Sequence, residues 1–302
     1  MISIISPVRN EAENLPLFYT TLVDVTQTLF YQWEFIFVYD ESKDNTFEVL
    51  LELRANDPRV KIVKLSRGFG KENAMTAGLD FATGHAAILI DADLQDPPGL
   101  IIQMLELWEK GNKMVYAVRK KREGESWFKK QTASWFYSLM EKISTVHIPR
   151  NTGDFRLIDR LILDDLKSLQ ETQRFMKGLF MVPGYQNAPL YYQRKPRHLG
   201  QSNFGFWKLW SFAIDGITGF SLFPLQIASI FGVFLIFVSL FFGVPFLIFN
   251  PLESCDRLLV AIIFFSGVQL ATIGILGEYI GRTYFESKKR PRYFVESTIG
   301  FE

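Results

Sequence analysis

The residues best suited to chemistry stand in one run, Ile88-Leu89-Ile90-Asp91-Ala92-Asp93-Leu94-Gln95-Asp96-Pro97-Pro98. An apolar stretch with the composition of a buried strand ends directly in alternating carboxylates, which an apolar core cannot satisfy. Asp91 and Asp93, with the amide oxygen of Gln95, offer hard oxygen ligands to Mg2+ or Mn2+, ions that keep open positions for a diphosphate. The plainer alternative makes Asp96 a helix cap and leaves Asp91 and Asp93 as surface turn residues. A second run, Gly68-Phe69-Gly70-Lys71, has the look of a phosphate loop without its spacing. Glu72 stands where the Walker pattern needs Ser or Thr, and Asn73 where the dinucleotide fingerprint needs its third glycine. The loop can still line a nucleotide through backbone N–H groups, or be a simple turn. Basic residues make a third set: Arg119, Lys120, Lys121 and Arg122, then Lys129 and Lys130, then Arg194, Lys195 and Arg197. They could cradle a phosphate, with a solvated charged face as the alternative and Glu123 as a competing partner for Arg119. One cysteine, Cys255, and the scattered His85, His147 and His198 provide neither a disulfide framework nor metal-ligand spacing.

These residues need elements to position them. Residues 2–6, 34–39, 60–64, 86–90 and 114–118 read as strands, rich in Ile and Val and apolar on both faces. Residues 15–30, 46–55, 72–82 and 100–109 carry helical spacing between them, with Asp44 or Asn45 able to cap the second and Gly84 or Gly111 able to end later ones. Strand, helix, strand at this pitch predicts an α/β fold with a mainly parallel sheet and helices on both faces. Ligands of such sheets lie off the carboxyl ends of the strands. The polar segments 7–11, 40–44, 67–71 and 91–96 fall there, and Arg119 closes the last strand, where its guanidinium fork could orient a phosphate.

The remainder of the chain is different in kind. Apolar residues make up 48% and aromatics 15%, with 29 phenylalanines, more than a soluble core of this size consumes. Residues 216–252 form 37 consecutive uncharged residues and 258–277 another 20, and about 20 helical residues cross a bilayer. The expectation is two transmembrane helices, near 225–246 and 258–280. Basic residues flank both outer ends (Arg194, Lys195, Arg197 and Lys208; Arg282, Lys288, Lys289, Arg290 and Arg292), whereas the short connection carries only Arg257, so both termini are expected on the cytoplasmic side. Residues 1–6 lack a basic leader and stop at Pro7, which reads as a strand and not a signal peptide. The expected division is a cytoplasmic domain over 1–203, an amphipathic juxtamembrane helix over 204–216, the two spans within 217–282 and a cytoplasmic tail over 283–302. Gly277-x-x-x-Gly281 and Gly267-x-x-x-Ala271 give the second span a small-residue stripe suited to its partner helix or to a homo-oligomer. Thirty-three basic against 32 acidic residues leave a net charge of +1, which argues against a nucleic-acid partner.

Five motifs taken in order carry a resemblance. Ser6-Pro7-Val8-Arg9-Asn10-Glu11, Val38-Tyr39-Asp40-Glu41-Ser42 and Asp91-Ala92-Asp93-Leu94-Gln95-Asp96 together resemble the inverting glycosyltransferases of family 2, with their GT-A fold. Gly153-Asp154-Phe155-Arg156 and Gly200-Gln201-Ser202-Asn203, followed by a membrane hairpin, are similar to the polyprenyl-phosphate glycosyltransferases within it, the bactoprenol glucosyltransferases above all. The resemblance covers nearly the whole chain. It implies transfer of a hexose, glucose from UDP-glucose, to undecaprenyl phosphate at the cytoplasmic face of a bacterial-type inner membrane. It further implies that Pro7, Glu11 and Asp40 hold the nucleoside, that Asp91, Asp93 and Gln95 carry Mg2+ or Mn2+ and the diphosphate, and that Asp154 lies on the acceptor side. Asp93, Asp154 and Arg119 are then the catalytic candidates, with Arg119, Lys130, Arg194 and Ser202 toward the acceptor phosphate. Three positions depart from the family pattern: Tyr39 replaces the first of two paired acids, Arg9 a tyrosine, and Asn203 a lysine.

Two other readings compete. A processive polysaccharide synthase shares the fold but shows Gln-x-x-Arg-Trp and more spans, which Gln173-Arg174-Phe175 and two hydrophobic stretches do not match. A non-catalytic nucleotide-sugar-binding scaffold would have no need to keep Asp91, Asp93 and Asp154.

Overall fold

The computed structural model describes residues 1–120, 149, 151–169, 171, 174–193, 225, 230, 234 and 255–301. The first five strands are β1 (Ile2–Val8), β2 (Trp33–Tyr39), β3 (Val60–Leu65), β4 (Ala86–Leu89) and β5 (Met114–Arg119). They alternate with α1 (Leu15–Thr26), α2 (Thr46–Asn56), α3 (Lys71–Phe81) and α4 (Leu100–Glu109). Each expected strand and helix of this half is present. The first helix is shorter than its spacing suggested, ending at Thr26 where Gln27 donates its N–H to the Val23 carbonyl.

Beyond residue 150 the chain adds β6 (Thr152–Asp159), α5 (Arg160–Ser168), α6 (Met176–Leu179), β7 (Asn187–Tyr192), α7 (Cys255–Ser287) and β8 (Val295–Ile299). All eight strands join one sheet in the order β7-β5-β6-β4-β1-β2-β3-β8. The sheet is mixed: six of its strands run in one direction, as a mainly parallel sheet requires, and β6 and β8 run against them. β1 pairs in parallel with β2 and β4, β2 with β3, and β5 with β7, but β6 runs antiparallel between β4 and β5 and β8 runs antiparallel to β3. The cause is that β6 and β8 arrive from chain outside the strand–helix–strand series, so no right-handed crossover dictates their direction. The segment 283–302, expected as a tail, thus supplies an edge strand of the sheet.

The central strands are apolar throughout because both faces are covered. Ile4, Phe35, Phe37 and Ile88 pack with Phe18, Leu50, Ile101 and Met104 on one side. Ile5, Ile36 and Val38 pack with Met75, Ala77, Leu163 and Phe180 on the other. Strand order reverses at β1, which has β2 on one side and β4 on the other, and such a switch point opens a crevice at the carboxyl ends. The Ser6 hydroxyl ties the two ends together there by donating to the Ile90 carbonyl (2.9 Å).

α7 is a 33-residue helix, about 50 Å long at 1.5 Å per residue. It exposes Leu258, Ile262, Phe265, Leu270, Ile273, Leu276 and Ile280. The second expected span falls within α7; the first, with the juxtamembrane helix, lies almost wholly outside the described residues. Counted over the described residues alone, no helix is long and apolar enough to cross a membrane.

Candidate functional site

Asp91 follows β4 at the switch-point crevice, and β6 brings Asp154 to it. The antiparallel register pairs Leu89 with Arg156, so extending it by two residues sets Asp91 opposite Asp154. Lys71, the first residue of α3, reaches between them: its Nζ lies 2.7 Å from Asp91 Oδ2 and 2.6 Å from Asp154 Oδ2. The site is therefore carboxylate, ammonium, carboxylate, drawn from three elements.

Its electrostatics follow from burial and from one cation serving two acids. Burial works against the Lys71 ammonium, but Asp91 and Asp154 on either side outweigh it and hold the group above the ordinary lysine range. Asp91 is pushed up by burial, reinforced by Asp154 and Asp93, with Lys71 opposing. Asp154 is held down in spite of burial by Lys71, Lys177 and Arg156. Glu72, next along α3, is pushed up to about 7 by burial and the charge of Asp154, while accepting the Met176 N–H at 3.2 Å. Arg156, on β6 with Asp154, is buried over the Phe180 ring at 3.9 Å and donates to the Gly153 carbonyl at 2.9 Å. Burial pulls its guanidinium down to about 10.

Arg119 ends β5 on the same side. A Cβ built on Gly153 would stand 2.8 Å from an Arg119 terminal nitrogen, so the guanidinium lies close across the start of β6 and a side chain there would displace it. Its Nε donates to the Tyr192 hydroxyl (3.3 Å), and that hydroxyl donates in turn to the buried Asp96 carboxylate. Asp96 is therefore not the cap of α4, whose N-cap position is Gly99. It orients Tyr192 and, through it, Arg119. Asp93 is buried and accepts the Gln95 N–H at 3.1 Å across a turn in which Leu94 takes φ +58°. Gln95 enters the site through this backbone contact.

Asp40, at the end of β2, is separate from this cluster. Its two oxygens accept the N–H groups of Phe69 (2.6 Å) and Gly70 (3.1 Å), and Arg9 stands 3.6 Å away. Glu41 accepts the Gly68 N–H at 2.9 Å. Gly70 sits at φ +88°, a conformation that side chains resist, directly before Lys71. Asp40 therefore anchors the glycine loop that launches Lys71. Glu11 accepts from the Asn14 amide (2.7 Å), and Pro7 lies within β1 opposite Val38. Lys130, Arg194 and Ser202 lie outside the described residues, as does Glu123. Lys71, Glu72 and Arg156 were not among the expected site residues. Lys71 closes the polar segment 67–71 expected at the end of β3, but nothing local in the sequence singles out its side chain.

Hard carboxylate oxygens suit Mg2+ or Mn2+, and Asp154 Oδ1 is buried with no partner among the described residues. Among those residues no three His, Cys, Asp or Glu side chains cluster closely enough to hold a metal alone.

The profile of the family described as "Glycosyl transferase family 2" matches residues 3–167. An uncharacterized glycosyltransferase of Synechocystis is 44% identical over 307 residues, spanning 100% of this chain and 96% of that one. A bactoprenol glucosyl transferase of Shigella phage SfX is 44% identical over 301 residues, 98% and 99% of the two chains. A glucosyl-3-phosphoglycerate synthase from Mycobacterium tuberculosis, solved with Mn2+, UDP and glucosyl-3-phosphoglycerate, superposes with a TM-score of 0.49 at 16% identity over 72% of this chain and 77% of that one, too distant to inform the site. With a family profile over more than half its length and near-full-length relatives at 44% identity, the chain belongs to glycosyl transferase family 2 and is a glycosyltransferase.

Proposed function

We propose that the enzyme moves glucose from UDP-glucose to a polyprenyl phosphate, undecaprenyl phosphate, with inversion at the anomeric carbon, at the cytoplasmic face of a bacterial inner membrane. The observation that carries this reading is the 44% identity, across 98% of this chain and 99% of its relative, to a bactoprenol glucosyl transferase. The apolar side chains exposed along α7 support the membrane placement, as do the basic residues after it.

The acceptor, a phosphate monoester, is already an anion, so attack on the anomeric carbon asks for no strong base. It asks for control of charge: two phosphates must approach while the bond to the diphosphate breaks. Arg119, braced by Tyr192 and Asp96 and lying against Gly153, stands where a guanidinium fork could seat the incoming phosphate. Lys71 supplies fixed positive charge beside the departing diphosphate and holds Asp154 in place. Asp91 and Asp93 would hold Mg2+ or Mn2+, which when bound neutralises the leaving diphosphate. Asp40 and Glu41 set the 66–70 loop by accepting its amides, and this loop with Arg9 would form the nucleoside side of the site.

The test is incorporation of label into organic-extractable lipid from a panel of nucleotide sugars, using the full chain in detergent with undecaprenyl phosphate. Labelled lipid from UDP-glucose is expected. Label appearing instead in a water-soluble polymer would favour a processive synthase, and donor binding without turnover would favour a scaffold.

A further inference from the structure

The 66–70 loop is held from two directions, and the second hold comes from the far end of the chain. β8 pairs with β3 up to the Leu65–Val295 pair, with an irregularity between Lys64 and Leu65 just before the loop. Immediately past that pair, the Ser66 N–H donates to the Phe294 carbonyl (2.9 Å). The Phe294 ring lies 6.2 Å from the Phe69 ring at a 48° tilt, and the Arg67 guanidinium covers Phe69 at 4.7 Å. Tyr293, the preceding residue, donates its hydroxyl to Asp80 Oδ2 (2.8 Å) at the last turn of α3. Residues 293 and 294 thus touch α3 near its end and the loop before its start. The helix between them begins with Lys71.

This arrangement does more than close a sheet edge. Phe69 N–H is one of the two amides that Asp40 binds, and Lys71 follows two residues later to bridge Asp91 and Asp154. A shift of the Phe69 ring therefore moves an amide on the nucleoside side, while the Lys71 ammonium stays tied to its two carboxylates. Phe294 is about half exposed (54%), so its ring contributes little to the core and much of its contact is with the loop.

We propose that Phe294 is a positioning residue for the nucleotide-sugar site: through its ring on Phe69 and its carbonyl on Ser66, the segment that follows α7 sets the conformation of the donor loop. The inference rests on the loop being the donor loop, as read above. It also ties the site to α7, because only seven residues separate Ser287 from Val295.

The experiment compares Phe294→Ala and Phe294→Tyr in the full-length enzyme by amide hydrogen exchange and by donor kinetics. Losing one aromatic pair predicts faster exchange at Phe69 and Gly70, and a donor KM raised about three- to ten-fold with kcat little changed. Phe294→Tyr, which keeps the ring, restores both. Exchange at Phe69 and Gly70 that stays at the wild-type rate in Phe294→Ala overturns the proposal, as does a fall in kcat at unchanged KM. Circular dichroism on the Ala variant separates a local change from unfolding. Were the wild type to transfer no sugar, the reading under Proposed function would fail, and the exchange rates alone would decide this one.

Discussion

The two sides of the site are built in different ways. Around the glycine loop, Arg9, Asp40 and residues 66–70 come from the ends of β1, β2 and β3, consecutive parallel strands linked by helices, and the contacts are loop amides donating to the Asp40 and Glu41 carboxylates. Around Lys71, Asp91 and Asp154 meet only because β6 enters antiparallel between β4 and β5, and the contact is made by side-chain charge. Lys71 belongs to the first construction and acts in the second. The comparison teaches that neighbouring strand ends can shape a loop through its backbone, whereas a cluster of formal charges has to be gathered from distant segments of chain.

The strongest way to break this division is at the acids. Asp93→Ala should cost at least about 2 to 4 kcal/mol of transition-state stabilisation, a fall in kcat of about 30- to 10³-fold, the scale for losing one major electrostatic element. EDTA should stop transfer and added Mg2+ or Mn2+ restore it. Near-normal turnover by Asp93→Ala would remove that residue from the mechanism.

Lys71→Met comes next. It leaves Asp91 and Asp154 facing each other without their shared cation, so transfer should fall by about ten- to a hundredfold while Lys71→Arg keeps part of the rate. The folded state should survive, since the Lys71 side chain is 40% exposed at the start of a helix. Steady-state rates with saturating donor would check it.

A pair of substitutions sharpens the comparison directly. Arg119→Lys should impair transfer to lipid several-fold with donor binding largely intact, because the charge stays and the bidentate fork goes. Asp40→Asn should do the reverse, weakening donor binding by about tenfold as a charged acceptor of two N–H groups becomes a neutral one, with the rate at saturating donor preserved. Titration calorimetry with UDP beside transfer assays distinguishes the two. Equal loss of binding and transfer in both variants would erase the boundary drawn here.

The smallest effect lies away from the site. Asp57 binds Arg59 (Nε to Oδ1, 3.0 Å; Nη2 to Oδ2, 2.6 Å) and accepts the Tyr19 hydroxyl, and against the upward push of burial these contacts hold its carboxyl at about 2. A folded value below the unfolded one of about 3.9 means that the unfolded chain takes up the proton first. The contribution is complete above that value and is lost as pH falls toward about 2. Because Arg59 is 39% exposed, solvent screening leaves about 1 kcal/mol. Asp57→Asn should therefore lower stability to denaturant at pH 7 by about that amount, with the difference from wild type vanishing near pH 2.

The same contrast explains what the sequence disclosed. β1 to β5 and α1 to α4 were legible because hydrophobic period and turn residues specify them within a dozen residues. The polar strand ends were legible too, for the topology puts ligands there. β6 was recognised as a motif around Asp154 but not as a strand, since Gly153, Asp154 and Arg156 break the apolar run, and its direction is set by pairing partners rather than by its own residues. β8, with Glu296, Ser297 and Thr298 exposed at the sheet edge, has no hydrophobic signature to betray it. Lys71 is concealed differently: its loop obeys no phosphate-binding motif, and its contacts are with two aspartates 20 and 83 residues away. Asp40 was found, but its work on the loop amides is visible only in the fold.

The central claim is most directly tested by the chemical identity of the product. Purified full-length enzyme given UDP-glucose, undecaprenyl phosphate and Mg2+ should yield a lipid whose nuclear magnetic resonance spectrum shows a β-linked glucosyl phosphate, the anomer opposite to that of the donor. An α-linked product, or glucose released to water with the lipid unchanged, would contradict the account.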